Sequence, residues 1–148
     1  MDPIFSAVLS IVMRWTHVLS VITVLGGLLY ARLAVAPALA SLPAESGAQF
    51  AASLNTRFRP WLRFAVFMLV VSGLYNLVTK ANIPTGYHMW FGIKMLFALH
   101  IIVVSFLLSR ASVTQEKRNR MITGVVATGI IVVMLSGYLR FLSNWMQL

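Results

Sequence analysis

Four long apolar segments constrain the fold of this chain more than any other feature of its sequence. They cover about residues 13–36, 61–78, 90–109 and 121–142. A helix that crosses the hydrocarbon of a bilayer needs roughly 20 mostly apolar residues, and each segment is close to that length. The sequence therefore predicts an all-α integral membrane protein, a four-helix bundle in which residues 1–148 form one domain.

The composition supports a membrane protein and excludes several kinds of site. Hydrophobic residues make up 59% of the chain, charged residues make up 10%, and the mean hydropathy is +0.86. No cysteine is present, which excludes disulfides, iron–sulfur clusters and thiolate metal sites. The first segment does not read as a cleavable signal peptide, because it lacks a basic leader and contains Arg14 and His17.

The basic residues are distributed unevenly, and their distribution predicts a topology. Eight basic residues flank the first and third connections, three flank the opposite side, and Lys94 lies inside the third segment. The eight are Arg32, Arg57, Arg59, Arg63, Arg110, Lys117, Arg118 and Arg120. The three are Arg14, Lys80 and Arg140. Short basic loops stay in the cytoplasm, so we expect both termini outside a bacterial-type inner membrane. This topology, together with anionic lipid headgroups, explains the net charge of +9 without a nucleic-acid partner.

The connections differ in length and character. Residues 37–58 form the longest one, and within it a short amphipathic cytoplasmic helix is predicted at about 44–54. Pro60 then lies just ahead of the second span. The second connection, residues 80–87, is rich in turn residues, so helices two and three should be antiparallel neighbours. Ile4 to Val12 extends the first helix outward.

Aromatic residues and a weak repeat add to this arrangement. Trp15, Trp90 and Trp145 map to the outer boundary and Trp61 maps to the inner one, as aromatic belts do. The second span ends with Val71-Ser72-Gly73-Leu74-Tyr75 and the fourth with Leu135-Ser136-Gly137-Tyr138-Leu139. Two parallel helical hairpins would explain this similarity, although chance similarity between apolar segments is the alternative.

The first span carries a stripe of small and polar residues around a histidine. On a helix one face holds Ser10, Met13, His17, Ser20, Val24, Gly27 and Ala31, whereas Leu19, Ile22 and Leu29 lie off it. Small residues let helices approach closely, and polar residues in lipid turn toward protein. We therefore expect His17 to look into a bundle and the three apolar residues to face lipid.

Polar groups of the spans concentrate toward the predicted outer side. They are Arg14, His17, Tyr75, Asn76, Tyr87, His88, Lys94, Tyr138 and Arg140. The chain has three acids, Asp2, Glu45 and Glu116, and none lies within a span. Lys94 either extends to the outer headgroups or, with Arg14, meets an anion that a bound ligand supplies. Tetrapyrrole propionates would suit this position.

The histidines indicate how such a ligand could be held. An imidazole nitrogen is a good ligand of haem iron, and His17 is the first candidate, with His88 or His100 as a second axial ligand. Ligation by His17 alone is the other arrangement. The rival hypothesis is a copper site, in which the thioethers of Met13 and Met89 join His17 and His88 because soft sulfur and imidazole suit Cu(I).

Short motifs in the chain resemble a known membrane family. Arg14-Trp15-x-His17 followed by Gly26-Gly27-Leu28-Leu29 is similar to the first signature helix of copper-resistance D (CopD-like) proteins, and Thr85-Gly86-Tyr87 with Lys94 resembles a later helix of that family. The spacing of His17, Gly27 and Tyr30 is also similar to the HemJ-type membrane protoporphyrinogen oxidases, which are four-helix haem proteins. The resemblance implies a four-helix unit with His17 and Lys94 as the functional positions.

These observations lead to one main hypothesis and two alternatives. The main hypothesis is a b-type haem redox protein that passes electrons or oxidises a small hydrophobic substrate near the outer leaflet. His17 and Lys94 carry the chemistry, and the ligand contacts are His88, His100, Arg14, Tyr75, Asn76 and Arg140. The alternatives are a copper transporter and a non-catalytic lipid-binding bundle. A redox partner or quinone, and a homo-oligomer, stay open as partners.

Overall fold

The computed structural model of the chain is all-α in the part that it describes, which confirms the predicted fold class. It describes the backbone of residues 2–79, 87–108 and 114–145, and the side chains of these residues except 87, 88, 115 and 142–145. Within these ranges four helices are long and apolar enough to cross a membrane: Pro3–Ala40, Ala44–Val78, Met89–Leu108 and Glu116–Phe141. The protein is accordingly an integral membrane protein. The predicted turn at residues 80–86 lies outside the described residues.

The chain divides into two compact units, Met1–Thr79 and Lys80–Leu148, and each consists of one helical hairpin. In the first unit, the first long helix changes between α and π turns without a break. Its segments are α1 (Pro3–Val21), a π segment (Ile22–Gly26), α2 (Gly27–Tyr30), a second π segment (Ala31–Val35) and α3 (Ala36–Ala40). After a short turn, α4 (Ala44–Val78) runs back along it.

The start and the π segments of the first long helix have local causes. Asp2 caps α1, because its carboxylate accepts the Ile4 N–H at 3.1 Å, and Pro3 occupies the first helical turn, where a missing N–H costs little. The second π segment directly precedes the turn that contains Pro37. Proline cannot donate a backbone hydrogen bond, and a widened turn is one way in which a helix accommodates this.

The first connection differs from the prediction. The first long helix continues to Ala40, and α4 is one helix of 35 residues that includes the expected surface helix at 44–54 and carries Pro60 in its interior. At 1.5 Å per residue α4 is about 52 Å long, well beyond the ~30 Å of bilayer hydrocarbon. The hairpin therefore extends past the hydrocarbon at its basic end instead of folding onto the membrane surface.

The predicted stripe does face the partner helix in the first unit. Val24 is fully buried and Ser20 nearly so, whereas Leu19 and Ile22 are more than 60% exposed. One position departs from the expected spacing, because Leu28 is 1% exposed and Gly27 is only half-buried. Gly27 nevertheless faces α4, because a Cβ there would meet the ring of Phe58.

Three contacts define the antiparallel register of this hairpin. Ser10 meets Tyr75, His17 meets Ser72, and Gly27 meets the ring of Phe58. The apolar run 61–78 of α4 thus lies alongside about residues 8–25 of the first long helix, which is closer to the N-terminus than the predicted span of 13–36.

The positions of the charged residues favour the membrane level that this register implies. Placing the hydrocarbon at residues 13–36 would bring Arg57, Arg59 and Arg63 into it, and each charge at a helix centre costs something like 2.5–3.5 kcal/mol. The level set by 61–78 leaves Arg57 and Arg59 outside the span and Arg63 near its edge, and Arg14 falls within either level. The placement of Trp15 at the outer boundary stays a prediction.

The second unit packs α5 (Tyr87–Leu108) against α6 (Gln115–Trp145). Its core contains Ile101, Ser105, Leu108, Ile122, Val125 and Leu139. The rings of Trp90 and Tyr138 meet edge to face at 5.6 Å, and Arg118, 9% exposed, donates from Nη1 to the Leu108 carbonyl at 3.4 Å. A cation at the last carbonyls of a helix stabilises that end. The predicted third connection covers residues 110–120. Because α6 begins at Gln115, about half of that range is helical.

Gly27 provides a test of the first hairpin. A Cβ added there would lie 2.6 Å from Cζ of Phe58, whereas a Cβ at the neighbouring Gly26 meets nothing within 4 Å. Both Gly→Ala changes gain helix propensity, but only Gly27→Ala must displace the ring. We expect Gly27→Ala to be less stable than Gly26→Ala by about 1–3 kcal/mol in unfolding of the detergent-solubilised protein.

The double variant Gly27→Ala, Phe58→Ala should remove most of the clash and make the glycine change nearly neutral in the Phe58→Ala background. Equal stability of the two single variants would mean that Gly27 and Phe58 do not pack together.

Candidate functional site

The polar core of the first unit is centred on His17. Its Nδ1 lies 3.2 Å from Oγ of Ser72 on α4, and the ring lies beside Gly73, where a Cβ would be 3.4 Å from Cε1 of His17. Ser72 is fully buried and His17 is half-buried. A Cβ at that distance would make an ordinary van der Waals contact, so the ring packs against α4 at Gly73 without requiring a glycine there. The predicted inward orientation of His17 is confirmed for its own hairpin.

Ser72 determines which ring nitrogen carries the hydrogen. Its Oγ lies 2.5 Å from the carbonyl oxygen of Met68, and two oxygens so close must share the serine hydrogen. A hydroxyl has one hydrogen to donate, and Ser72 donates it to Met68, so toward His17 its oxygen is an acceptor. His17 must therefore donate from Nδ1–H, and in the neutral imidazole the lone pair that can bind a metal or proton is on Nε2.

This arrangement has the form that histidine ligands of metals usually take. Such a histidine binds the metal through one nitrogen while the other donates its N–H to a fixed acceptor, which sets the tautomer and the orientation of the ring. Thr79 directly follows the last residue of α4, and Ser72 precedes it by seven residues. Ser72 therefore lies about 10 Å, or two turns, from that end of the helix.

A cleft lies between the two helices on the Tyr75 side of His17. Oγ of Ser10 and the hydroxyl of Tyr75 are 3.3 Å apart, and they form part of the wall of a cleft of about 420 Å³. Its other lining residues are Ser6, Ala7, Leu9 and Thr79. Tyr75 and Asn76 are half-buried on α4. Within the first unit, the structure thus brings Tyr75 into the neighbourhood of His17.

The remaining candidates belong to the second unit. Lys94 is half-buried on the face of α5 that also carries Ala98 and the buried Ser105, as predicted, and it makes an interaction within the protein. His100 and Arg140 are exposed. The side chain of His88 lies outside the described residues. The exposure of His100 agrees with its predicted location on the face opposite Lys94.

The copper and haem hypotheses both stay predictions. Met13 is half-buried on the same stripe as His17, but Met89 is 63% exposed, and the side chain of His88 is not described. Among the described side chains, no group of three or more histidine, cysteine, aspartate or glutamate residues could hold a metal ion. An axial haem ligand needs one imidazole, so the haem hypothesis does not require such a group.

Ser72 is the main site residue that the sequence did not single out. It appeared only within the weak repeat, whose other member, Ser136, also donates to the carbonyl four residues earlier, here Val132 at 2.6 Å. The available signal was the spacing of Ser72 and Tyr75, which places both on one side of the second span. The partner of His17 could not follow from this spacing, because it depends on the register between the helices.

Comparisons with protein-family models, curated proteins and solved structures gave no match to this chain.

The tautomer of His17 is directly measurable. In ¹⁵N NMR spectra of the detergent-solubilised protein without added ligand, we expect His17 at neutral charge to carry its hydrogen on Nδ1, and we expect this preference to be lost in Ser72→Ala. Ser72→Ala should also cost about 1–3 kcal/mol of unfolding free energy, because the half-buried Nδ1–H loses its acceptor.

Ser136→Ala is the matched control, since Ser136 makes the same i to i−4 bond in its own helix but is not bonded to a histidine. We expect it to cost a few tenths of a kcal/mol. A hydrogen on Nε2 in the wild type would show that Ser72 donates to His17 and would contradict the assignment.

Proposed function

We propose that this integral membrane protein binds a b-type haem through Nε2 of His17 and serves in electron transfer or in oxidation of a small hydrophobic substrate. The observation that carries the proposal is the chain of hydrogen bonds from His17 Nδ1–H to Ser72 and from Ser72 to the Met68 carbonyl. With the hydrogen on Nδ1, the lone pair of the neutral ring is on Nε2, which is the nitrogen proposed to bind the iron.

The residues of the first unit fit such a group in their chemistry. His17 supplies an imidazole donor, and small or apolar residues make up the rest of the stripe. When bound, haem supplies one-electron chemistry that the side chains of this protein do not themselves offer. The protein's own part is to orient the imidazole, to exclude water around it and to set the basicity of Nε2 through Ser72.

Lys94 belongs to the proposal as a second functional residue, as the family resemblance implies. The topology is also part of it: the arginine-rich end of the first hairpin, with Arg32 and Arg57, is proposed to lie in the cytoplasm. The Tyr75 end of the first unit would then be directed to the outer leaflet, where a hydrophobic substrate or quinone could approach.

The test is the visible spectrum of the purified protein, as isolated and after haem is supplied. We expect a Soret band in the wild type and its loss in His17→Ala, with weaker binding, by about tenfold, in Ser72→Ala, because second-shell partners of metal ligands typically contribute 10–100-fold to affinity. Ser136→Ala is the matched control. It removes a serine with the same i to i−4 bond in the second unit and should leave the band unchanged.

The absence of a Soret band in the wild type after haem is supplied would contradict the proposal. Metal analysis of the same preparation adds a second criterion. Copper at one equivalent, reduced by Met13→Leu as well as by His17→Ala, would favour the copper site instead.

A further inference from the structure

The hydroxyls that line the cleft of the first unit donate their hydrogens within the protein. The cleft of about 420 Å³ is lined by Ser6, Ala7, Leu9, Ser10, Tyr75 and Thr79. Oγ of Ser6 donates to the Pro3 carbonyl at 2.9 Å, and Oγ of Ser10 donates to the Ser6 carbonyl at 2.9 Å. Oγ1 of Thr79 donates to the Tyr75 carbonyl at 2.8 Å. Since a hydroxyl has one hydrogen, these three oxygens act as acceptors toward any further group.

The Tyr75 hydroxyl is committed in the same way. Its oxygen lies 3.3 Å from Oγ of Ser10, and the hydrogen of Ser10 goes to the Ser6 carbonyl, so Tyr75 is the donor of this pair. Both oxygens of the pair keep lone pairs that can accept a further hydrogen bond. The cleft therefore presents four hydroxyl oxygens, and all of them are acceptors toward a ligand.

Two of the four acceptors lie on different helices at one level of the hairpin. Ser6 precedes Ser10 by about one turn of α1, and Thr79 follows Tyr75 by about one turn at the end of α4. Because the two helices are antiparallel and Ser10 meets Tyr75, Ser6 and Thr79 share a level. Both residues are exposed, so a ligand that enters the cleft can reach an oxygen on each helix.

A lining of acceptors selects a ligand that donates a hydrogen bond, and the charges favour a neutral hydroxyl over an ammonium group. The six lining residues are uncharged, and the whole chain has 12 basic and 3 acidic residues. Of the acids, Asp2 is nearest to the lining in sequence, and its carboxylate caps α1. Arg14 follows Ser10 by about one turn of α1, and Lys80 directly follows Thr79 in the sequence. A cation at the cleft is therefore repelled more than it is attracted.

The rest of the lining favours an aromatic ring as the carrier of that hydroxyl. Ala7, Leu9 and the ring of Tyr75 form the apolar part of the cleft. Aromatic rings pack favourably against one another, and a buried phenol usually finds a partner for its hydroxyl. The volume of the cleft also falls within the roughly 300–1,000 Å³ of small-molecule sites.

We propose that this cleft binds the phenolic hydroxyl of an aromatic ligand, with Ser6 and Thr79 as the acceptors. A simple phenol and an alkyl hydroquinone share this chemistry. The quinone form of the same ring offers carbonyl oxygens alone, which would meet hydroxyl oxygens with no hydrogen between them. The cleft thus distinguishes the reduced ring from the oxidised one. The binding site itself does not depend on haem, whereas a role of its ligand as substrate rests on the proposed function.

The experiment measures binding to the full-length protein in a nonionic detergent without oxygen. One probe pair is the fluorescent phenol α-naphthol and its methyl ether. The other is decylhydroquinone and decylbenzoquinone, measured as competitors of α-naphthol. We expect the wild type to bind the hydroxyl form of at least one pair about fivefold more tightly than its partner, the effect of one net hydrogen bond. The pair that shows the preference identifies the source of the hydroxyl.

The double variant Ser6→Ala, Thr79→Val removes both acceptors and should bring the two affinities of that pair within about twofold. The matched control is the double variant Ser41→Ala, Thr56→Val. Ser41 donates to the carbonyl three residues earlier, as Ser6 does, and Thr56 donates to the carbonyl four residues earlier, as Thr79 does. Neither control residue lines the cleft, so this variant should keep the full preference.

The site would be overturned if neither pair discriminates in the wild type, or if the Ser6→Ala, Thr79→Val variant keeps the preference. Dodecylamine that displaces α-naphthol more strongly than dodecanol does would likewise overturn it and indicate a cation site. His17→Ala separates this proposal from the haem function. It should abolish the Soret band but keep the preference for the hydroxyl form, whereas a wild type without a Soret band contradicts the haem proposal alone.

Discussion

The hydrogen bond between His17 and Ser72 is the interaction on which the first unit depends. An imidazole within the hydrocarbon costs several kcal/mol if its N–H has no acceptor, since lipid offers none. Ser72 supplies that acceptor because its own hydrogen goes to the Met68 carbonyl. The Met68 carbonyl on α4 therefore makes the Ser72 oxygen an acceptor for His17 on α1. This polar contact between His17 and Ser72 stabilises one register of the two helices.

The same register sets the depth of every other polar group in the hairpin. With Ser10 beside Tyr75 and Gly27 beside Phe58, the apolar run of α4 defines the membrane level, and the basic end projects beyond it. Arg14 and His17 lie less than one turn apart on α1, so the register that fixes the level of one also fixes the level of the other.

The sequence predicted the helical class, the four spans and the stripe that faces α4, because apolar length and the 3.6-residue period are local properties. It did not predict that residues 44–78 form one helix. Pro60 and the polar stretch before it favour a break locally, but packing of the hairpin keeps the helix continuous. The burial of Leu28, which lies off the predicted stripe, depends on how the helices pack, and the periodicity of one helix does not contain that information. The partner of His17 depends on the register of two helices separated by 55 residues along the chain, so residue types alone could not identify it.

The central claim is that His17 binds iron through Nε2 while Nδ1 stays hydrogen-bonded to Ser72. Electron–nuclear double resonance on the ferric, haem-loaded protein tests it most directly, with histidine labelled with ¹⁵N at either ring nitrogen. The account predicts the strong coupling of a directly bound nitrogen from the Nε2 label, and its loss in His17→Ala. Strong coupling from the Nδ1 label, or none from histidine at all, would contradict it.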